Sequence, residues 1–109
     1  MKPRRGEVWL VDLGVAADIP AIVVSVPTED ADRALVTIVS HTSSPRHSRF
    51  EASVSVPFLG AGAFDAQTLG TIPHERLVRP LGMLGGSQFA IVERAVRLWL
   101  GLPTASAEA

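Results

Sequence analysis

The side chains with the most chemical reach are concentrated in the stretch HTSSPRHSRF, residues 41–50. Thr42 and Ser43 bring hydroxyls, Arg46 and Arg49 bring permanent cations, and His47 between them carries an imidazole that can donate or accept a hydrogen bond. No acidic residue lies between Asp32 and Glu51, so the stretch is a local excess of positive charge in a balanced chain. Arginine forks onto phosphate oxygens and stacks on bases, which is the chemistry of holding a polyanion. The competing reading is a solvated turn, with the basic side chains in water and Thr42 bonding its own backbone.

Composition limits the alternatives. The net charge of −1 and pI near 6.3 exclude a protein coated in positive potential, so any nucleic-acid site must be a local patch. The ten basic residues are nine arginines and one lysine. Cysteine is absent, which excludes disulfides and thiolate chemistry. His41, His47 and His74 show no metal-ligand spacing, so neither a metal nor another cofactor is expected; His41 and His74 read as surface or capping residues. No apolar run reaches the roughly 18 residues of a membrane-spanning helix, and MKPRRGEVWL lacks the features of a secretory leader, so the expected address is cytoplasmic, away from the membrane.

The elements that must position the basic stretch are mostly strands. Glu7–Leu13 is an apolar run too short for a helix, and Ala21–Val26 reads as its antiparallel partner after the break GVAADIP. An acidic turn, PTEDADR, leads into a third strand, Ala34–Ser40, and the basic stretch then follows as an exposed loop. Ala52–Val56 alternates small polar with branched apolar residues, predicting a half-buried strand with Val54 and Val56 inward. Phe64–Ile72 is a weaker strand pattern interrupted at Gly70, and Pro73 opens a short helical turn, HERLVR, that Pro80 ends. Ser87 can cap a terminal helix in which Phe89, Val92, Val96 and Trp99 recur at helical spacing and which Gly101 stops. Trp9 and Trp99 read as core or dimer-interface residues. The chain is expected to be a single domain over residues 1–102 with a flexible tail over 103–109, built as a small bent sheet or barrel whose open side the helix covers.

RRGEVWLVDL, IPAIVVS, IVSHTSS and TIPHERLVRPLGML, followed by the terminal helix, resemble in order the segments of the MazF/PemK family of toxin endoribonucleases. The resemblance runs from about Pro3 to Leu102. It implies a mainly β fold, an SH3-like barrel with a C-terminal helix, normally a homodimer. It also implies metal-independent cleavage of single-stranded RNA, in which the ribose 2'-hydroxyl attacks the neighbouring phosphate. Thr42 matches the family threonine that closes strand three, and Asp65 and Gln67 resemble an Asp and Gln that contact a base edge or position water. The chain departs from the pattern where the family places arginines, with Ile19 before the proline of strand two and Ala63 ahead of Asp65. The cation is then expected from Arg49, or from Arg46, with Ser43 and His47 beside them on the substrate. The implied partners are messenger RNA and an antitoxin whose acidic segment crosses the basic groove, with operator DNA reached only through that antitoxin. Ile19 and Ala63 equally fit a non-catalytic binder of the same fold, such as a degenerate toxin or a gyrase-poison-like protein of the CcdB type. A small-barrel interaction domain outside any toxin system is the third reading.

Overall fold

In a computed structural model of the chain, which describes residues 2–103, the run EVWLV becomes strand β1, Glu7–Val11. β2 (Ile19–Val23) pairs antiparallel with one edge of β1, and β3 (Leu35–Thr42) pairs antiparallel with β2. Then follow β4 (Glu51–Ala52), β5 (Ala63–Asp65), β6 (Gly70–Pro73), β7 (Leu77–Met83) and helix α1 (Gly86–Leu100). The strands run in the order β4-β5-β3-β2-β1-β7, with β6 added to β3, and every pairing is antiparallel.

The central strands are apolar on both faces because the sheet carries a core on each side. Val8, Ile22, Val39 and Phe64 pack with Val92 and Ala95 of α1, while Trp9, Val11, Ala21, Val23, Val36 and Ile38 form the second cluster, closed by Ile72 and Leu77. Full burial of each of these large side chains is worth roughly 1.5–3 kcal/mol, which fixes strand register and so the position of everything at the strand ends. Arg5 ties the start of β1 to α1. Its guanidinium donates to the Val24 carbonyl at 2.6 Å and to Glu93, and lies 4.7 Å from the Phe89 ring centroid.

Four expectations are corrected. Beyond Ala52 the ladder stops, because its partner β5 begins only at Ala63; Val54 and Val56 still pack against the first core. The Phe64–Ile72 pattern divides not at Gly70 but at a 3-10 turn, Ala66–Thr68, capped by Asp65. The helical turn after Pro73 ends at Arg76, and Pro80 lies inside β7. That strand is the sheet edge, and Pro80 pairs with Trp9 where the register slips, a position where a missing N–H is tolerated. Ser87 does not cap α1, which starts at Gly86 with no side-chain cap. Gly101 ends the helix as expected: at φ 72° it donates its N–H to the carbonyls of Arg97 and Leu98. Of the expected tail, residues 104–109 lie outside the described residues.

Candidate active site

β3 delivers the site by ending at it. At its last turn of ladder, His41 pairs with Phe64 and Thr42 with Ala63. An open cleft of about 610 Å³ is lined there by Ser40, His41, Thr42 and Ser43, by Asp18, Ile19 and Pro20 at the start of β2, and by Gly60, Ala61 and Thr68. Its size falls in the range of small-ligand sites. The segment before β5 presses closely on β3. A Cβ on Gly62 would lie 2.0 Å from the Thr42 carbonyl oxygen and 2.7 Å from His41 Cε1, so only glycine fits.

Thr42 serves both readings of the sequence. Its Oγ1 accepts the Ser44 N–H at 3.1 Å, the turn contact expected of a structural threonine, and it also lines the cleft. An acceptor bond leaves the hydroxyl proton available to donate. Ile19 and Ala63, the two positions that the sequence resemblance matches to arginine, adjoin Thr42: Ile19 lines the same cleft and Ala63, fully buried, is its cross-strand partner. Among the described residues the cleft lining holds no arginine or lysine, and its titratable groups are Asp18 and His41.

The basic loop is organised by Glu51. The Arg46 N–H donates to both carboxylate oxygens, at 2.9 and 3.1 Å, and the Ser48 N–H donates to Oε1 at 2.8 Å. His47 takes the left-handed conformation, φ 59°, that curls these donors together. The backbone bonds from Arg46 and then Ser48 hold the Glu51 carboxyl below the usual carboxylate range. Because the carboxylate is engaged by backbone, the cations stay free: among the described residues neither Arg46 nor Arg49 is in an ion pair. Arg49 lies over the Phe50 ring, 4.6 Å from its centroid, and Phe50 meets Trp99 edge-on at 5.1 Å. Trp99 is otherwise 42% exposed, whereas Trp9 is core.

The structure thus brings Thr42 and Ser43 together in the cleft and places Arg46, His47 and Arg49 on the loop that leaves it, none of them in its lining. Asp65 accepts the Gln67 N–H at 3.0 Å and so caps the 3-10 turn, while Gln67 is exposed. The turn reaches the cleft through Thr68, whose Oγ1 accepts the Ser40 N–H at 2.9 Å. His74 keeps its expected structural role, Nε2 lying 3.1 Å from the Leu35 carbonyl. His41 does not. It packs edge-on against Phe64 at 5.1 Å, and its Nε2 is buried with no hydrogen-bond partner among the described residues. Burial pushes its pKa below the ordinary 6.5, so the ring is neutral at pH 7. The signal was strand alternation: His41 shares a face with Val39, a core residue.

Residues 4–100 match the model of the PemK-like, MazF-like toxin of type II toxin-antitoxin systems. The chain belongs to this family. Endoribonuclease MazF9 of Mycobacterium tuberculosis is 32% identical over 114 residues, covering 91% of this chain and 97% of that toxin. An endoribonuclease from a mycobacterial species, solved in complex with its cognate antitoxin, superposes with a TM-score of 0.81 at 25% identity, covering 94% of this chain and 98% of that one. A MazE–MazF structure from Deinococcus radiodurans gives 0.80 at 18% identity over 94% and 99% of the two chains, a likeness of fold. The PemK/MazF-like fold of this chain is therefore an antiparallel sheet closed by one C-terminal helix.

Proposed function

We propose that this chain is a toxin that cleaves single-stranded RNA without a metal. The ribose O2' bonds to the adjacent phosphorus as the P–O5' bond breaks; the 2'-hydroxyl proton leaves to solvent and the departing O5' takes one up, giving a 2',3'-cyclic phosphate and a 5'-hydroxyl. The observation that carries this reading is Thr42, its hydroxyl proton available, on a cleft beside a loop with two arginines that are in no ion pair among the described residues. Thr42 donates to a phosphate oxygen. Arg49, with Arg46 as the second candidate, supplies the positive charge that the phosphorane requires. Ser43 and His47 hold the flanking backbone, and Asp65 and Gln67 contact the base.

The partner is an antitoxin whose acidic segment competes with RNA for the same arginines, and operator DNA is reached only through it. Pairing of two copies is supported by exposed Leu98, Trp99, Leu100 and Leu102 at the C-terminal end of α1 and just beyond it. The site of action is the cytoplasm; no described helix is long and apolar enough to cross a membrane.

Induced expression with mapping of RNA ends tests the activity. Growth arrest with new 5'-hydroxyl fragments, reproduced by purified protein in EDTA, is the expected result. A second reading, a binder that has lost cleavage, is favoured by the absence of arginine and lysine from the cleft lining. Tight antitoxin or gyrase binding with no RNA ends would establish it.

A further inference from the structure

The cleft holds one side chain with a buried polar atom that finds no hydrogen-bond partner among the described residues. His41 lines it next to Thr42, at the point where Ile19 and Ala63 provide no hydrogen-bond donor. A histidine is an expensive choice for this position if it only fills space. Its Nε2 is shut in without a partner beneath the segment that ends in Gly62, and Gly62 is the one residue type that lets this segment close over the imidazole. An apolar side chain would stack on Phe64 equally well and would leave no polar atom unsatisfied.

We propose that His41 is a catalytic residue, donating a hydrogen bond through Nδ1–H to the phosphate of RNA bound in the cleft. The proton's place follows from the pattern of bonds. A buried N–H without an acceptor is rarer and costlier than a buried lone pair, which assigns the lone pair to Nε2 and the proton to Nδ1, the nitrogen left to meet a ligand. Burial also keeps the ring uncharged at neutral pH, so it works as a fixed dipole aimed at the phosphorane oxygen. Asp18 is the cleft's other titratable group, and as an acceptor it cannot take this role. A neutral donor inside the cleft and the loop cations outside it would together stand in for the arginine that the sequence resemblance matches to Ile19. This inference rests on the RNA-cleaving reading above.

Three variants separate the contribution of Nδ1 from packing. With enzyme in excess over a mixed-sequence single-stranded RNA transcript, H41L is expected to slow the cleavage step about 10²–10³-fold while half-saturation shifts less than about threefold. H41N places an amide N–H where Nδ1–H stood and is expected to stay within about tenfold of wild type; H41Q, whose amide reaches the Nε2 position, is expected to be as slow as H41L. Rescue by asparagine alone is a result that a purely structural role would not produce. H41L within threefold of wild type, or no difference between H41N and H41L in folded protein, overturns the proposal. Nitrogen NMR of the unsubstituted protein, labelled at histidine, gives an answer without any variant. The Nδ1–H tautomer is expected, with Nδ1 moving when a non-cleavable 2'-O-methyl oligonucleotide is added; the Nε2–H tautomer overturns it. A wild-type protein that makes no 5'-hydroxyl ends removes the ribonuclease reading and this one with it, whereas an active wild type with an equally active H41L removes only this one.

Discussion

Thr42 and Ala63 are cross-strand partners, and Ala63, which the sequence resemblance matches to a family arginine, is completely buried. Ile19, the other such position, is only half-buried and opens on the cleft. The two positions should respond oppositely to arginine. I19R is expected to fold with a melting temperature near wild type and to cleave RNA at least about tenfold faster, because it adds a cation beside Thr42. A63R must bury a guanidinium against the ladder and is expected to lose at least about 3 kcal/mol of stability. Thermal melts with cleavage rates check both; an I19R protein that cleaves no faster would show that the cleft has been rebuilt around another donor.

Arg46 and Arg49 are expected to act as a pair. The double change to alanine should reduce cleavage by about 10²-fold or more and flatten the dependence of RNA binding on salt, since two phosphate contacts are lost. Stability should fall by less than about 1 kcal/mol, the Arg49 stack on Phe50 being the contact removed. Unchanged salt slope and rate would assign the cation elsewhere.

The sheet was largely legible because its residues answer to one requirement, burial on both faces of β1 to β3, which produces unbroken apolar runs such as VWLV and AIVV. Local rules failed where tertiary pairing overrode them. Pro80 stops a helix by propensity but is accommodated at the bulged edge of β7, and Ala52–Val56 has strand alternation but no strand to pair with beyond Ala63. The cleft position of Thr42 was legible, since it follows from the end of a strong strand. His41 was not, because a histidine beside a polar loop looks solvated until β5 and Gly62 close over it. Glu51 was also hidden: its role depends on three backbone bonds that no side-chain pattern announces.

Glu51 is expected to be the latch of the basic loop. E51Q keeps the shape but weakens the bonds from the Arg46 and Ser48 N–H groups, which are charge-assisted only with a carboxylate. Amide exchange at Arg46 and Ser48 should accelerate by about tenfold, and RNA half-saturation should rise with it. The sign of the pH dependence is fixed by the lowered carboxyl pKa. The latch is complete above the ordinary value of 4.5 and opens as pH falls through the lower folded-state value. Exchange in E51Q that matches wild type would mean the loop holds its shape by other contacts.

His41 should leave its own mark on acid stability. Its folded-state pKa lies below the ordinary 6.5 because burial disfavours the imidazolium. Between those two values the unfolded chain binds the proton and the folded chain does not, so stability falls as pH drops below about 6.5 and stops falling once the folded pKa is passed. At pH 7.5 the contribution is absent and H41L is expected to be more stable than wild type by about 1 kcal/mol, since it removes a buried nitrogen without a partner. On acidification toward pH 5 the gap should widen, wild type losing stability that H41L keeps. Urea midpoints measured across that range decide the matter. Parallel curves would show that His41 titrates alike in the folded and unfolded chain, and that the segment ending in Gly62 does not exclude water from it.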